Sequence, residues 1–345
     1  MTERPDYGVP GQSQSDIFTG IAELKESESV KGTPASRLPA FVLGDELAAL
    51  ADRNPRIVVL TADLATANRT SEFKARHPTR YFDFGIAEKN MVTAAAGMAA
   101  SGQMPYAATF AAFCAILCAE QIRTDCAYPQ MPVRVVGHHS GISMGFYGTS
   151  HHATEDLGMM RTIAGLTVVC ATDANHLRAV LRKSVDHPGA MYIRLGRGRD
   201  PDVYDAVPDD LEFGTAIRLA DGKDLTIIAT GSEVHPSLEA AGILAGEGHS
   251  VRVIDMHTIK PLDVDAVRAA ATETGAILTV EEHNVIGGLG SAVAEVLVEM
   301  DRVAFARHGI HDVYSLIGPP ASLYAHYELD PAGIAKLARE VMTRR

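Results

Sequence analysis

From about residue 38 onward the chain alternates short apolar runs with longer amphipathic stretches, and this rhythm limits the fold more than any other feature. Residues 41–53 read as a helix and 56–61 as a strand; a helix runs from Glu88 to near Gly102, a strand covers 106–109, a helix 112–128 and a strand 133–137. Strands at 166–170 and 190–195 then bracket a helix at 174–187. Alternation of this kind predicts a parallel sheet with helices on both faces. The run His138 to Glu155 breaks the rhythm. It is rich in Gly, Ser and His, carries too little apolar content for a core element, and so reads as a long loop after a strand, where α/β proteins keep their chemistry. Pro201 and Pro208 mark 201–210 as a linker. A second alternation follows, with strands at 224–229, 250–255 and 276–281 and helices at 236–247, 264–274 and 334–344. The expectation is an α/β chain of two doubly wound domains, 38–200 and 211–345, preceded by a polar extension, 1–37, that is loose or wraps a neighbour.

At 345 residues the chain has room for two ordinary cores. A formal charge of -12 argues against nucleic acid or an anionic membrane as the main partner, which leaves small molecules and other proteins. No apolar run reaches membrane-spanning length, and the first 31 residues lack the basic and apolar regions of a signal peptide. The four cysteines, Cys114, Cys118, Cys126 and Cys170, have neither zinc-site spacing nor disulfide-scaffold density, so a reducing cytoplasm is the expected home. Cys114 and Cys118 lie one helical turn apart in an apolar segment and read as small buried hydrophobes.

Several residues stand where chemistry could be done. Glu88 lies in the run Phe82-Asp83-Phe84-Gly85-Ile86-Ala87-Glu88 and opens an Ala-rich helix, where burial is expected. A desolvated carboxyl can hold or share a proton near neutral pH, although an acid in a first turn also serves as a helix cap. Phe110 and Phe113, close together at a predicted helix start, read by themselves as core packing. Asp63, just past an apolar strand, could be a site acid, a turn former or a helix N-cap. His138, His139, His151 and His152 crowd one loop. Imidazole suits proton transfer, and the acid or thiol companions that a metal would need are not evident. Arg194, Arg197 and Arg199 make a basic turn that could grip an anion or be surface charge. Gly287-Gly288-Leu289-Gly290 departs from a dinucleotide fingerprint and reads as a tight strand-to-helix turn.

Taken in order, six motifs carry a resemblance over nearly the whole chain: Thr61-Ala62-Asp63-Leu64, Gly85-Ile86-Ala87-Glu88, Thr109-Phe110-Ala111-Ala112-Phe113, Gly148-Thr149-Ser150-His151-His152, Tyr192-Ile193-Arg194-Leu195-Gly196-Arg197 and Glu281-Glu282-His283-Asn284. From about Leu38 to the end the chain resembles the C-terminal half of transketolase, its pyrimidine-binding and C-terminal domains, as found in transketolases split over two genes. The resemblance implies thiamine diphosphate chemistry, in which a two-carbon ketol unit passes from a ketose to an aldose through the cofactor's ylide. Glu88 would bond N1′ of the aminopyrimidine and so promote loss of the thiazolium proton. Phe110 and Phe113 would stack on the pyrimidine, Asp63 would lie near the thiazolium, His139 and His151 would reach the substrate's oxygens, and Arg197 would hold a sugar phosphate. His138 and His152 are the alternatives if the register is off by one.

The pattern also departs from the family. Tyr147 stands where an aspartate usually reads substrate hydroxyls, Ala67 where a serine helps bind phosphate, Ile116 where a third aromatic often follows, and the arginine expected at the first helix has only Arg37 as a near counterpart. A phenol does not replace a carboxylate as an acceptor at neutral pH, so the resemblance implies a substrate other than the ordinary pentose phosphate pair. The Gly-Asp-Gly that holds Mg²⁺ against the diphosphate does not occur in these 345 residues. A separate N-terminal subunit carrying it is therefore expected, sharing thiamine diphosphate with this chain in an α2β2 assembly. A 2-oxo acid dehydrogenase β-subunit, a deoxyxylulose phosphate synthase relative and a non-catalytic scaffold remain the competing readings.

Overall fold

The computed structural model describes residues 39–197 and 201–345. The extension, Arg37 and Arg199 lie outside the described residues. Two parallel-dominated sheets carry the fold. The first has seven strands: β1 Ile57–Thr61, β2 Tyr81–Asp83, β3 Met104–Phe110, β4 Arg134–His138, β5 Thr167–Cys170, β6 Met191–Arg194 and β10 Thr258–Lys260, in the order β10-β5-β6-β4-β3-β1-β2. The second has five: β7 Ile217–Ala220, β8 Leu225–Ala229, β9 Val251–Asp255, β11 Ala276–Asn284 and β12 Ala304–Ile310, in the order β12-β11-β8-β9-β7.

Strand sequence explains which faces are covered. Val58 and Leu60 of β1 join one core cluster while Ile57 and Val59 join the other, so successive side chains feed cores on opposite faces and both must be apolar. The Ala-rich helix Glu88–Ala100 fits tightly on one face, burying Met91, Val92, Ala95, Ala96 and Ala99. The opposite face is covered by Pro39–Arg53 and Ala174–Ser184, and the latter starts with a side-chain cap from Asp173 to the His176 N–H.

Two sequence expectations change. Thr258–Lys260 lies in the second half of the chain, yet it pairs antiparallel with β5 at the edge of the first sheet. Three residues are too short to announce a strand, and only the tertiary pairing creates it. The segment 138–155, read as a loop without core content, is mostly buried, and Ile142 is fully enclosed in the core of the second sheet. Its average polarity hid a few buried apolar side chains, Ile142, Met144 and Ala153.

The Gly287–Gly290 turn is tight, as expected, and its cause is an acid. Both carboxylate oxygens of buried Glu281 accept backbone N–H groups at the start of the Leu289–Leu297 helix, from Leu289 and Gly290 at 2.7 Å each. A Cβ on Gly288 would lie 1.9 Å from Glu281 Oε2, so this approach requires glycine.

Candidate functional site

Register places the candidate residues together. Thr61 of β1 pairs with Ala108 of β3, Phe110 of β3 with His138 of β4, and Gly137 of β4 with Arg194 of β6. Asp63, Phe113, His139 and Arg197 therefore leave the sheet at one carboxyl edge, the usual ligand-binding edge of an open parallel sheet.

The aromatic ring contacts are continuous. Phe110 is buried, and its ring centroid lies 5.7 Å from Phe113, 4.7 Å from His139 and 5.9 Å from His151. His151 also meets Phe113 at 5.2 Å and Tyr147 at 5.0 Å. Phe113 starts a π-helical turn, Phe113–Leu117, followed by α-helical Cys118–Gln121 and π-helical Ile122–Ala127, so the expected single helix carries two widened turns.

Glu88 opens its helix and is only 7% exposed. Its charge bears on the Cys114 and Cys118 thiols, which places it against the segment that carries Phe113. No described residue donates a hydrogen bond to its carboxylate. A nearly buried acid without a protein donor, close to the segment that carries Phe113, fits a ligand that brings its own donor and a flat apolar ring. Next to it Ile86 is 85% exposed, and Ile116 and Leu117 are also exposed, an apolar border of the kind that another chain covers.

Burial lowers the histidine pKa values. His139 is pushed down to about 3, by burial first and then by the nearby charges of Arg197, Arg69 and His151. His138 is pushed well below the usual range by burial, with His139 and Arg69 adding to it. Both imidazoles are neutral at working pH and bond to each other through their Nδ1 atoms, one donating and one accepting. Burial also lowers His151, whose Nδ1 pairs with Ser150 Oγ at 2.8 Å. Among the described residues, the imidazoles that touch the phenylalanines are His139 and His151; His152 bonds instead to the Gly145 carbonyl at 3.3 Å.

Asp63 sits in a turn with a left-handed backbone, φ 58°, and its N–H donates to Asp83 Oδ1 at 2.9 Å. Asp83 also accepts the Gly85 N–H at 3.0 Å, so one carboxylate ties the exit of β1 to the loop that leads to Glu88. Sequence reading passed over Asp83, although an Asp at a strand end with a Gly two residues on is a turn signal. Asp63, Ala67 and Asp83 line an open groove of about 410 Å³. Arg197 Nη1 donates to the Ser143 carbonyl at 3.4 Å. Tyr147 is 60% exposed beside His151, where its hydroxyl can reach a ligand.

Arg194 is not the surface charge it could have been. It is fully buried and bidentate to Asp156, at 2.7 and 3.1 Å, because its position on central strand β6 points it into the seam between the sheets. The four cysteines are buried and unpaired, and burial raises Cys118, Cys126 and Cys170 to about 12, which leaves them inert thiols. Among the described residues no group of three or more His, Cys, Asp or Glu side chains is arranged to hold a metal, and no helix is long and apolar enough to cross a membrane.

Two family models match the chain: "Transketolase, pyrimidine binding domain" over residues 40–201 and "Transketolase, C-terminal domain" over 214–334. One subunit of the apulose-4-phosphate transketolase of Phocaeicola vulgatus is 39% identical over 302 residues, 87% of this chain and 96% of that protein. The 6-deoxy-6-sulfo-D-fructose transketolase subunit SqwH of Clostridium sp. is 39% identical over 301 residues, covering 87% and 93%. A solved structure described as a split gene transketolase, inactive beta4 tetramer, superposes with a TM-score of 0.81 at 40% identity, covering 87% of this chain and 96% of that one.

Proposed function

The chain belongs to the transketolase family, carrying its pyrimidine-binding and C-terminal domains, and on that premise we propose that it is one subunit of a two-chain enzyme that moves a two-carbon ketol unit from a ketose donor to an aldose acceptor. The observation that carries this reading is Glu88: a nearly buried carboxylate, with no hydrogen bond from any described residue, whose charge reaches Cys114 and Cys118 on the segment that starts at Phe113. Thiamine diphosphate, when bound, supplies the nucleophilic carbon that cleaves and carries the ketol unit. Glu88 would accept a hydrogen bond from the pyrimidine edge and handle the proton there, Phe110 and Phe113 would stack on the ring, and Asp63 would serve the thiazolium end. His139 and His151, neutral at working pH, bond to substrate oxygens and can take or give a proton. Arg197 holds the anionic end of the sugar.

The diphosphate and Mg²⁺ are held by the partner chain, in an α2β2 assembly. Two facts support a partner: the missing Gly-Asp-Gly and the exposed Ile86, Ile116 and Leu117 beside Glu88. Tyr147 in place of an acid favours a donor or acceptor outside the ordinary pentose phosphates. Relatives at 39% identity whose names specify apulose 4-phosphate and 6-deoxy-6-sulfo-D-fructose support the same choice. The test is a donor panel on the assembled pair, including xylulose 5-phosphate, branched and C6-modified ketoses, and pyruvate. Turnover of a ketose other than xylulose 5-phosphate is expected. Xylulose 5-phosphate as best donor by a wide margin defeats the substrate proposal, and pyruvate as best donor defeats ketol transfer itself.

A further inference from the structure

The loop that carries His139, Tyr147 and His151 leaves the first sheet but rests on the second. Ile142, three residues after His139, is fully buried and belongs to the second sheet's core cluster, together with Val280 and Ile310. Gly145 packs against Gly318 and Pro320, and Gly148 against Ile317. Thr154, near the end of the loop, accepts the Asn284 N–H at 2.8 Å. At the centre of this contact lies Glu282 of β11, 0% exposed. Its Oε1 accepts the Ile142 N–H at 2.8 Å and the Tyr324 hydroxyl at 2.6 Å, and its Oε2 accepts the Ser232 hydroxyl at 2.9 Å. Gly141 lies flat on the same carboxylate: a Cβ there would be 2.0 Å from Glu282 Cδ, and its φ of 58° is itself unfavourable for other residues.

A buried carboxylate that accepts three hydrogen bonds is held rigidly, and one of its donors is the backbone of the loop. We propose that Glu282 is the positioning residue for the proposed substrate loop: through Gly141 and Ile142 it fixes His139 and His151 relative to the Phe110–Phe113 wall, so that the C-terminal domain sets substrate geometry without touching substrate. This inference rests on the ketol-transfer reading above. It also separates two functions in space: Glu88, Phe110 and Phe113 are carried by the first sheet and its helices and none of them bonds to Glu282, while the wall meets the loop only at its edge, through His139, His151 and Ala153.

The experiment uses the assembled two-chain enzyme and the donor found by the panel. Wild-type turnover is measured first, and its absence fails the functional reading alone. Amide hydrogen exchange at Ile142, which needs no turnover, tests the loop contact independently. In E282A, exchange at Ile142 and through residues 139–151 is expected to quicken at least tenfold, with kcat/KM for the donor falling at least tenfold. Thiamine diphosphate affinity should stay within about threefold. E282Q keeps an oxygen for Ile142 and Tyr324 and can donate to Ser232, so it should recover most of both losses. If E282A does not fold, the Y324F/S232A double variant, which frees Glu282 to swing, is read in the same way. Donor kcat/KM within twofold of wild type in the folded variant overturns the proposal, as does a parallel loss of cofactor affinity, which would mean general distortion.

Discussion

Glu88 and Glu282 are the same residue type, both almost hidden from water, and they belong to opposite kinds of region. Glu282 lies in the seam between the sheets, where Ile142, Ser232 and Tyr324 saturate its oxygens. Glu88 lies at the carboxyl edge of the first sheet, without a donor from any described residue and next to the exposed Ile86. The arginines also differ in place: Arg194 is locked to Asp156 in the seam, while Arg197 stands at the edge near His139 and donates to the Ser143 carbonyl. A buried charge with its partners supplied by the fold specifies structure; one with partners missing points to a ligand or another chain.

Substitution at each region should break it in a different currency. The largest expected effect is on catalysis: Glu88→Ala in the assembled enzyme should lower turnover by about 10²–10⁴-fold, the usual worth of a proton-transfer group, while urea unfolding of the chain is nearly unchanged. In the seam the loss should be of stability. Arg194→Met leaves Asp156 uncompensated and should cost about 3–5 kcal/mol in urea unfolding. Equal effects of the two substitutions on both readouts would erase the distinction.

The seam also carries a pH signature. Burial pushes Asp255 up to about 7, against an ordinary value of 3.8, although hydrogen bonds from Thr172 and Tyr204 oppose the shift. A carboxyl raised in the folded state binds its proton more tightly there than in the unfolded chain. Its contribution is therefore fully present below about pH 4 and is lost as pH rises towards 7, at up to about 1.4 kcal/mol per unit. Urea titrations at pH 5 and 7.5 should show that loss in wild type and a flatter difference in Asp255→Asn. The smallest effect belongs to Tyr147, which is exposed and whose replacement should leave stability alone. Tyr147→Asp restores an acceptor for substrate hydroxyls and should move the ratio of kcat/KM for xylulose 5-phosphate to that for the preferred donor by about tenfold toward the pentose phosphate, roughly one charged hydrogen bond.

The edge was more legible in sequence than the seam, for a physical reason. Strand exits are local: apolar runs read as ending at Thr61, Thr109 and Gly137 place the next residues near the rim, which left Asp63, Phe113 and His139 within reach of the motifs that carry the resemblance. The seam is made of long-range partners. Asp156 and Arg194 are 38 residues apart, and Ile142 and Glu282 are 140 apart. Nothing local announces that Arg194 will be buried, that Thr258–Lys260 will pair with β5, or that a Gly- and Ser-rich segment will seat in a core. Glu281-Glu282 was visible as a motif, but the helix N-terminus that Glu281 caps and the loop that Glu282 holds appear only in three dimensions.

The most direct test of the account is calorimetric titration of thiamine diphosphate with Mg²⁺ into three samples: this chain alone, this chain assembled with the subunit that carries the diphosphate-binding motif, and the same assembly with Glu88→Ala. Binding to the assembly alone, weakened in the variant, is the predicted result. Tight binding to the isolated chain, or affinity indifferent to Glu88, would contradict a cofactor site shared between two subunits with Glu88 at its pyrimidine end.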